Sequence, residues 1–355
     1  MDALFSKKRT SIGKIFLGIF IVLLLVGLFV TMLNIIFISQ IQLERQYVTI
    51  PDLPAELENF RILHISDLHG KEFGNKQSKI AQTIKEMRYE MVCISGDMVG
   101  ANGDFSAFNH LLEILSEDAH IYYVQGDEDP NPYATSFQLT NNTKAEYVLA
   151  AEKRGATLLD KPQKITYKNH NIWLCPHSLY TQDMDNTYIA LQEYLGELVE
   201  RPKTTQNDAL IEGTKERMQA IIDAQQVIQS MSKKDLYLCL THIPFVDLPI
   251  DPLEIANDKT EKPYEHLSLI MSGHYNNGQC RLPYVGAIHI PQEIGYQKSG
   301  WFLNDENIAG LSYVNGIPQY INYGLGASSL YPLTPFRFFN QPRITLITLT
   351  GRIRE

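Results

Sequence analysis

Hydrophobic and polar positions divide the chain into regions of different rhythm. Residues 15–38 are almost continuously apolar, and a helix rising about 1.5 Å per residue over that span would cross a hydrocarbon core about 30 Å thick. Residues 39–59 read as a polar linker punctuated by Pro51 and Pro54. From Phe60 onward, short apolar runs at 62–66, 91–95 and 121–125 alternate with segments of helical spacing. Ile80, Ile84 and Met87 recur at that spacing after the first run, and Phe105, Phe108, Leu111, Leu112 and Leu115 after the second. Such alternation predicts βαβ units with parallel pairing, hence an α/β fold.

After Gly155 the strands come closer together, at about 157–159, 164–167 and 172–175, with a turn at Lys168-Asn169-His170-Asn171. A second, partly antiparallel sheet is expected there. Two helical patterns then interrupt the strand series between about 183 and 232. One runs through Ile189, Leu191, Tyr194 and Leu195, the other through Met218, Ile221, Ile222, Val227 and Ile228. They read as an insertion, either a cap beside a site or a helix pair covering the sheet. Further strands are expected at 236–240 and 267–272 within a domain spanning 60–355.

A chain of 355 residues can bury an ample core in one such domain without disulfides. Cys93, Cys175 and Cys239 lie inside apolar runs, where a thiol acts as a small hydrophobe, and Cys280 follows a Gly-His pair. With 31 Lys and Arg against 40 Asp and Glu, the net charge of −9 argues against nucleic acid as a partner. The apolar span is longer than the roughly 7–15 residues of a secretory h-region, so it reads as an uncleaved signal anchor. Lys7, Lys8, Arg9 and Lys14 precede it and Glu44 and Arg45 follow. The positive-inside rule keeps residues 1–14 in the cytoplasm and places the rest outside a cell membrane crossed once. Asn141-Asn142-Thr143 also matches a glycosylation sequon.

Each predicted strand is followed by residues of metal-binding type. They are Asp67-Leu68-His69, Gly96-Asp97, Gly126-Asp127-Glu128-Asp129, Thr241-His242 and Gly273-His274-Tyr275-Asn276. In α/β sheets the carboxyl ends of strands hold the ligands, so these loops are expected to converge. Carboxylates and imidazoles suit Mn, Fe or Zn, and two such ions about 3.5–4 Å apart can clamp a phosphate and generate a nucleophilic hydroxide. Asp97 is the natural bridging carboxylate, because Gly96 lets backbone approach closely.

Together with Gly278 and Gln279, these blocks resemble those of the calcineurin-like metallophosphoesterases, in order and spacing, across about residues 60–350. The amino-terminal anchor, the context of residues 269–283, Gly324-Leu325-Gly326 and Arg337-Phe338-Phe339 resemble the bacterial membrane-anchored phosphodiesterase branch. The resemblance implies a four-layer α/β/β/α sandwich with two mixed sheets and a site for two divalent ions. It implies Asp67 and His69 on one metal, Asp97 bridging, and His242 with His274 on the other.

This chain departs from the family pattern at several places. Asp127 stands where the family has an Asn ligand, Glu128 where it has the His that protonates the leaving group, and Asn276 where it has a second His. Gly100 occupies the position of the usual acid after the bridging Asp. Asp127 can ligate a cation, and Asn276 offers a neutral carbonyl oxygen to the first metal. Glu128 can serve as general acid if burial, or repulsion from Asp127 and Asp129, raises its pKa. The expected activity is hydrolysis of a phosphomonoester or phosphodiester, lipid-linked or cell-wall-derived, by a membrane-anchored enzyme. The alternative is a degenerate relative acting as a binding or scaffolding module. His64, His110, His120, His170, His177, His266 and His289 lack motif context, and of these only His177, in Cys175-Pro176-His177, follows a strand closely enough to approach the site.

Overall fold

A computed structural model describes residues 12–100, 103–133, 144–181, 183–246, 265–290, 300–302, 307–329 and 336–352. Lys7, Lys8, Arg9 and the sequon at Asn141-Asn142-Thr143 lie outside the described residues. The first half contains α1 (Ile12–Ile38), β1 (Gln42–Thr49), β2 (Arg61–Ile65), α2 (Ser78–Ile84), β3 (Met91–Ile94), α3 (Ser106–Glu113), β4 (His120–Tyr123), α4 (Glu146–Glu152) and β5 (Ala156–Leu158). The second contains β6 (Gln163–Tyr167), β7 (His170–Pro176), α5 (Ser178–Thr181), α6 (Met184–Glu200), α7 (Thr205–Ile228), β8 (Leu236–Leu240) and β9 (Leu267–Ser272). It continues with β10 (Arg281–Leu282), β11 (Gly286–Ala287), β12 (His289–Ile290), β13 (Gly300–Trp301), β14 (Gly310–Val314), β15 (Ile317–Ile321) and β16 (Arg343–Thr350).

Two mixed six-stranded sheets result, ordered β1-β16-β2-β3-β4-β5 and β14-β15-β9-β8-β7-β6. Ile62, Met91 and Cys93 of the first sheet and Leu174, Leu238 and Leu269 of the second meet in one core between them. The outer face of the first sheet carries α2, α3 and α4 over Leu63, Val92 and Ile94. The outer face of the second packs Trp173, Tyr237 and Ile270 against α5 and the end of α7. This is a four-layer arrangement, and it explains why the central strands are apolar throughout: each is covered on both faces. All four cysteines are buried free thiols.

The polar connector expected at 39–59 turns out to contain β1, an edge strand paired in parallel with β16 from Gln42↔Arg343 to Thr49↔Thr350. Its sequence, QLERQYVT, alternates too weakly to announce a strand; pairing with a segment 300 residues distant decides it. Because β16 runs antiparallel to β2, with Thr345 opposite His64, the start of β1 lies at the same sheet edge as the end of β2. Helix α1 therefore leaves the domain on the edge where the strand-end loops gather.

Helix α1 spans 27 residues and contains an 18-residue stretch of mean hydropathy 3.0, long and apolar enough to cross a membrane, and Asn34 is its one buried residue. The interrupting segment is the pair α6 and α7, capped by Asp183 and Thr204 side chains that accept from Asn186 and Asn207 backbone N–H groups. Leu191 and Leu198 of α6 are buried, whereas Ile189 is half exposed.

Candidate metal centre

Five loops leave the carboxyl ends of β2, β3, β4, β8 and β9 and meet at one point. Asp67 and His69 follow β2, Asp97 follows β3, Asp127 follows β4, His242 follows β8 and His274 follows β9. Two sets of ligand atoms result, Asp67, His69 and Asp97 in one and Asp127, His242 and His274 in the other, each with its atoms within 4.8 Å of one another. Asp97 joins the sets, its Oδ2 lying 3.3 Å from His242 Nε2 and 3.8 Å from His69 Nε2.

The local backbone is strained to reach this geometry. Asp67, His69, Asp97, His274 and Asn276 all have positive φ, between 47° and 77°. Non-glycine residues in that region each cost on the order of 1–3 kcal/mol, a cost that recurs at functional sites. Close approach adds a second constraint. A Cβ at Gly126 would lie 1.9 Å from Asp97 Oδ1, and one at Gly96 would lie 2.7 Å from both Gly126 N and His242 Nδ1. Only glycine at these two places lets the β3 and β4 loops touch. Asp129 staples the loops from behind, accepting from the backbone N–H groups of Met98, Val99 and Gly126. Burial and the Asp97 charge push its carboxyl up to about 6.

On one side, His242 Nε2 lies 2.7 Å from Asp127 Oδ1, and His274 Nδ1 is 3.2 Å from the same oxygen. The two imidazole nitrogens face each other at 3.3 Å. Carbonyl Ser95 O accepts from His242 Nδ1 at 2.7 Å, which fixes the ring and turns Nε2 inward. Burial alone would lower the His242 pKa, yet the charge of Asp97 and bonds to Asp127 and Asp97 hold it well above its ordinary value. Burial would raise Asp127, but His242 and His274 hold it well below the usual carboxylate range. A proton on His242 thus sits among carboxylates where a cation fits equally, so these residues suit a divalent metal.

On the other side, Asp67 is fully buried, with Oδ1 accepting from His274 N at 3.0 Å and Oδ2 without a hydrogen-bond partner among the described residues. Burial raises its pKa, an effect only partly offset by His242. An orphaned oxygen on a buried carboxylate that shares a ligand set with His69 and Asp97 is what a cation would satisfy.

Asn276 does not follow the expectation that its carbonyl oxygen completes this side. Arg337, fully buried, donates from one terminal nitrogen to Asn276 Oδ1 at 3.2 Å and from the other to Asn276 O. Arginine has donors only, so the amide oxygen must face it. The Asn276 amide nitrogen then faces His69 Nε2 at 3.3 Å, occupying the lone pair a metal would use. Arg337 is held in turn by carbonyls of Gly326, Tyr323 and Asn340. In the sequence Arg337 stands out only as part of the resembled pattern; its role shows in the fold alone.

Glu128 directs Oε1 to 3.7 Å from His69 Nδ1, and its other oxygen accepts from Ser329 Oγ at 3.3 Å. Asp129, next but one in the chain, turns both of its oxygens to backbone amides behind the loops. Beside Asp127 and His242 opens a cleft of about 720 Å³, lined also by His177, Thr181 and Phe245. His177 stacks on Phe245 at 4.9 Å, and burial lowers its pKa. Of the histidines without motif context, His64 is a buried core residue bonded to Ser95 Oγ, and His110 and His170 pair with Glu72 and Glu56.

The chain is 22% identical over 298 residues to a metallophosphoesterase of Bacillus subtilis strain 168, described as the uncharacterized metallophosphoesterase YkoQ. The alignment covers 82% of this chain and 84% of that protein. No protein-family model matches. Among solved structures, the phosphopantetheinyl hydrolase of Mycobacterium tuberculosis aligns over 75% of this chain and 89% of its own, at 11% identity and a TM-score of 0.35. Vps29 of Chaetomium thermophilum aligns over 39% of this chain and 57% of its own, at 18% identity and a TM-score of 0.19.

Proposed function

We propose that this homologue of a metallophosphoesterase hydrolyses a phosphomonoester or phosphodiester as a membrane-anchored, metal-dependent enzyme whose domain faces outside the cytoplasm. The observation that carries the reading is the convergence of Asp67, His69, Asp97, Asp127, His242 and His274 from five separate strand ends. Divalent ions held there would neutralise phosphoryl oxygens and supply a nucleophile at neutral pH. Asp97 ties the two halves together, and the bond from His242 Nδ1 to Ser95 O keeps Nε2 presented. The cleft beside Asp127 receives the organic part of the ester, with Phe245 and His177 as its wall. Glu128 is the side chain that protonates the leaving oxygen, steadied by Ser329. The helix α1, exposed along nearly its whole length, supports the anchor.

A binding or scaffolding module with one ion is the second reading, favoured by the Arg337–Asn276 contact that competes for His69. Elemental analysis of the full chain purified with manganese, together with hydrolysis of bis(4-nitrophenyl) phosphate, separates the two. The enzymatic reading expects retained cation and manganese-stimulated turnover that Asp97→Asn removes. Retained cation with a rate equal to that of Asp97→Asn favours the module, and no retained cation sinks both.

A further inference from the structure

Helix α1 is tied to the metal centre by a short polar path. Asn34 Nδ2 donates to Arg337 O at 3.0 Å, and Phe339 N donates to Asn34 Oδ1 at 2.8 Å, so the helix's one buried side chain grips the segment whose guanidinium holds Asn276. The same segment pairs with the start of β10: Arg281 N donates to Phe338 O at 2.9 Å. The β10–β11 hairpin therefore projects alongside the last turn of α1. Phe37, Leu282, Tyr284, Val285 and Phe339 line one shared hollow of about 570 Å³.

The tip of this hairpin is apolar and bare. Tyr284 is completely exposed and Val285 is 60% exposed. Adjacent exposed apolar side chains at a hairpin tip mark a contact site rather than ordinary surface. Their continuity with α1 identifies the partner. A helix of 27 residues is about 40 Å long, roughly 10 Å more than a hydrocarbon core, so its end emerges into the interfacial layer. Phe37 then lies at the headgroup level, where aromatic side chains with a polar tip are favoured, and Tyr284 shares its hollow. Cations stand at the same level: Lys79 Nζ donates to Ser39 O, the residue after α1, and Arg281 begins the hairpin. They suit anionic phospholipid headgroups.

We infer that the β10–β11 hairpin is a second membrane-contact element, seated through Tyr284 and Val285 in the interfacial layer of the bilayer that α1 crosses. This inference rests on the anchored reading given above. Its consequence is orientation. Because α1 leaves at the sheet edge that carries Asp67, two-point docking holds the metal centre close against the lipid surface.

The test uses the full chain in vesicles of phosphatidylcholine and phosphatidylglycerol that carry nitroxides on the acyl chain, near the headgroup in one set and near the methyl end in another. A single reporter cysteine is placed by Tyr284→Cys, Val26→Cys in α1, or Lys234→Cys at the opposite sheet edge, and labelled with an environment-sensitive fluorophore. The native thiols are buried, and residue 284 has no packing to lose. Expected are quenching and a blue shift at 284 and quenching at 26, with neither at 234. Quenching at 26 while 284 matches 234 overturns the hairpin contact and leaves the anchor standing. Absence of quenching at 26 overturns the anchored reading, and the hairpin inference with it.

Discussion

The two halves of the candidate metal centre depart from the resembled pattern in opposite directions. On the Asp127 side a carboxylate stands where the resembled family has a neutral amide, and its oxygen lies within 3.2 Å of both imidazole nitrogens. On the Asp67 side an amide stands where that family has an imidazole, and its oxygen is taken by a buried arginine. One half carries extra negative charge for a cation to neutralise; the other presents an amide, held by a fixed positive neighbour, where the resembled pattern has an imidazole. The comparison teaches that ligand count alone misjudges such a site, because a residue able to ligate can be committed elsewhere by its own hydrogen bonds.

The change with the largest expected effect is Asp97→Asn, which removes the carboxylate common to both halves. Cation retention and hydrolysis should fall together by more than the roughly 10–100-fold that follows loss of a supporting residue. Retained metal in that variant, read by elemental analysis, would mean that the Asp127 half is self-sufficient. Next comes Glu128→His, which restores the proton donor of the resembled family. Because Glu128 already donates the proton, a rise well short of the roughly 10²–10⁴-fold that a general acid contributes is expected with poor leaving groups, and none with nitrophenolate. Equal stimulation of both substrates would dissociate Glu128 from proton transfer.

A smaller effect, aimed directly at the asymmetry, is expected of Asn276→His. It removes the amide that caps His69 and should raise the manganese bound per chain by adding a ligand on the Asp67 side. An unchanged isotherm in a titration of the metal-free chain would show that Arg337, not Asn276, governs that half. The smallest effect concerns His64 behind the Asp67 side. Burial lowers its pKa to about 3 against 6.5 for a free imidazole. Between those values the unfolded chain binds a proton that the native chain does not, so stability falls as pH drops from about 6.5 toward 3. The slope is at most about 1.4 kcal/mol per pH unit. His64→Gln should flatten the denaturation midpoint over that range, and an unaltered pH profile would contradict this.

Much of this centre was legible in the chain because each ligand follows an apolar run that had to become a buried strand. Asp67, Asp97, Asp127, His242 and His274 each sit within a few residues of a strand end, so strand periodicity and residue chemistry placed them together. The alternation of strands and helices likewise announced the layered fold. The edge strand β1 and the buried guanidinium of Arg337 were not legible. The first depends on a partner strand from the far end of the chain, and its own residues carry little β signal. The second depends on backbone carbonyls of Gly326, Tyr323, Asn276 and Asn340 arriving around one side chain.

By itself, then, the sequence determined which apolar runs become central strands, which residues carry ligand chemistry, and which run is apolar enough to cross a membrane, since these follow from local pattern and side-chain type. Only the tertiary structure decided which way the Asn276 amide points and on which edge α1 leaves the domain. Hydrogen-bond direction is set by neighbours distant in sequence, and register between β1, β16 and β2 is set by pairing across almost the whole chain.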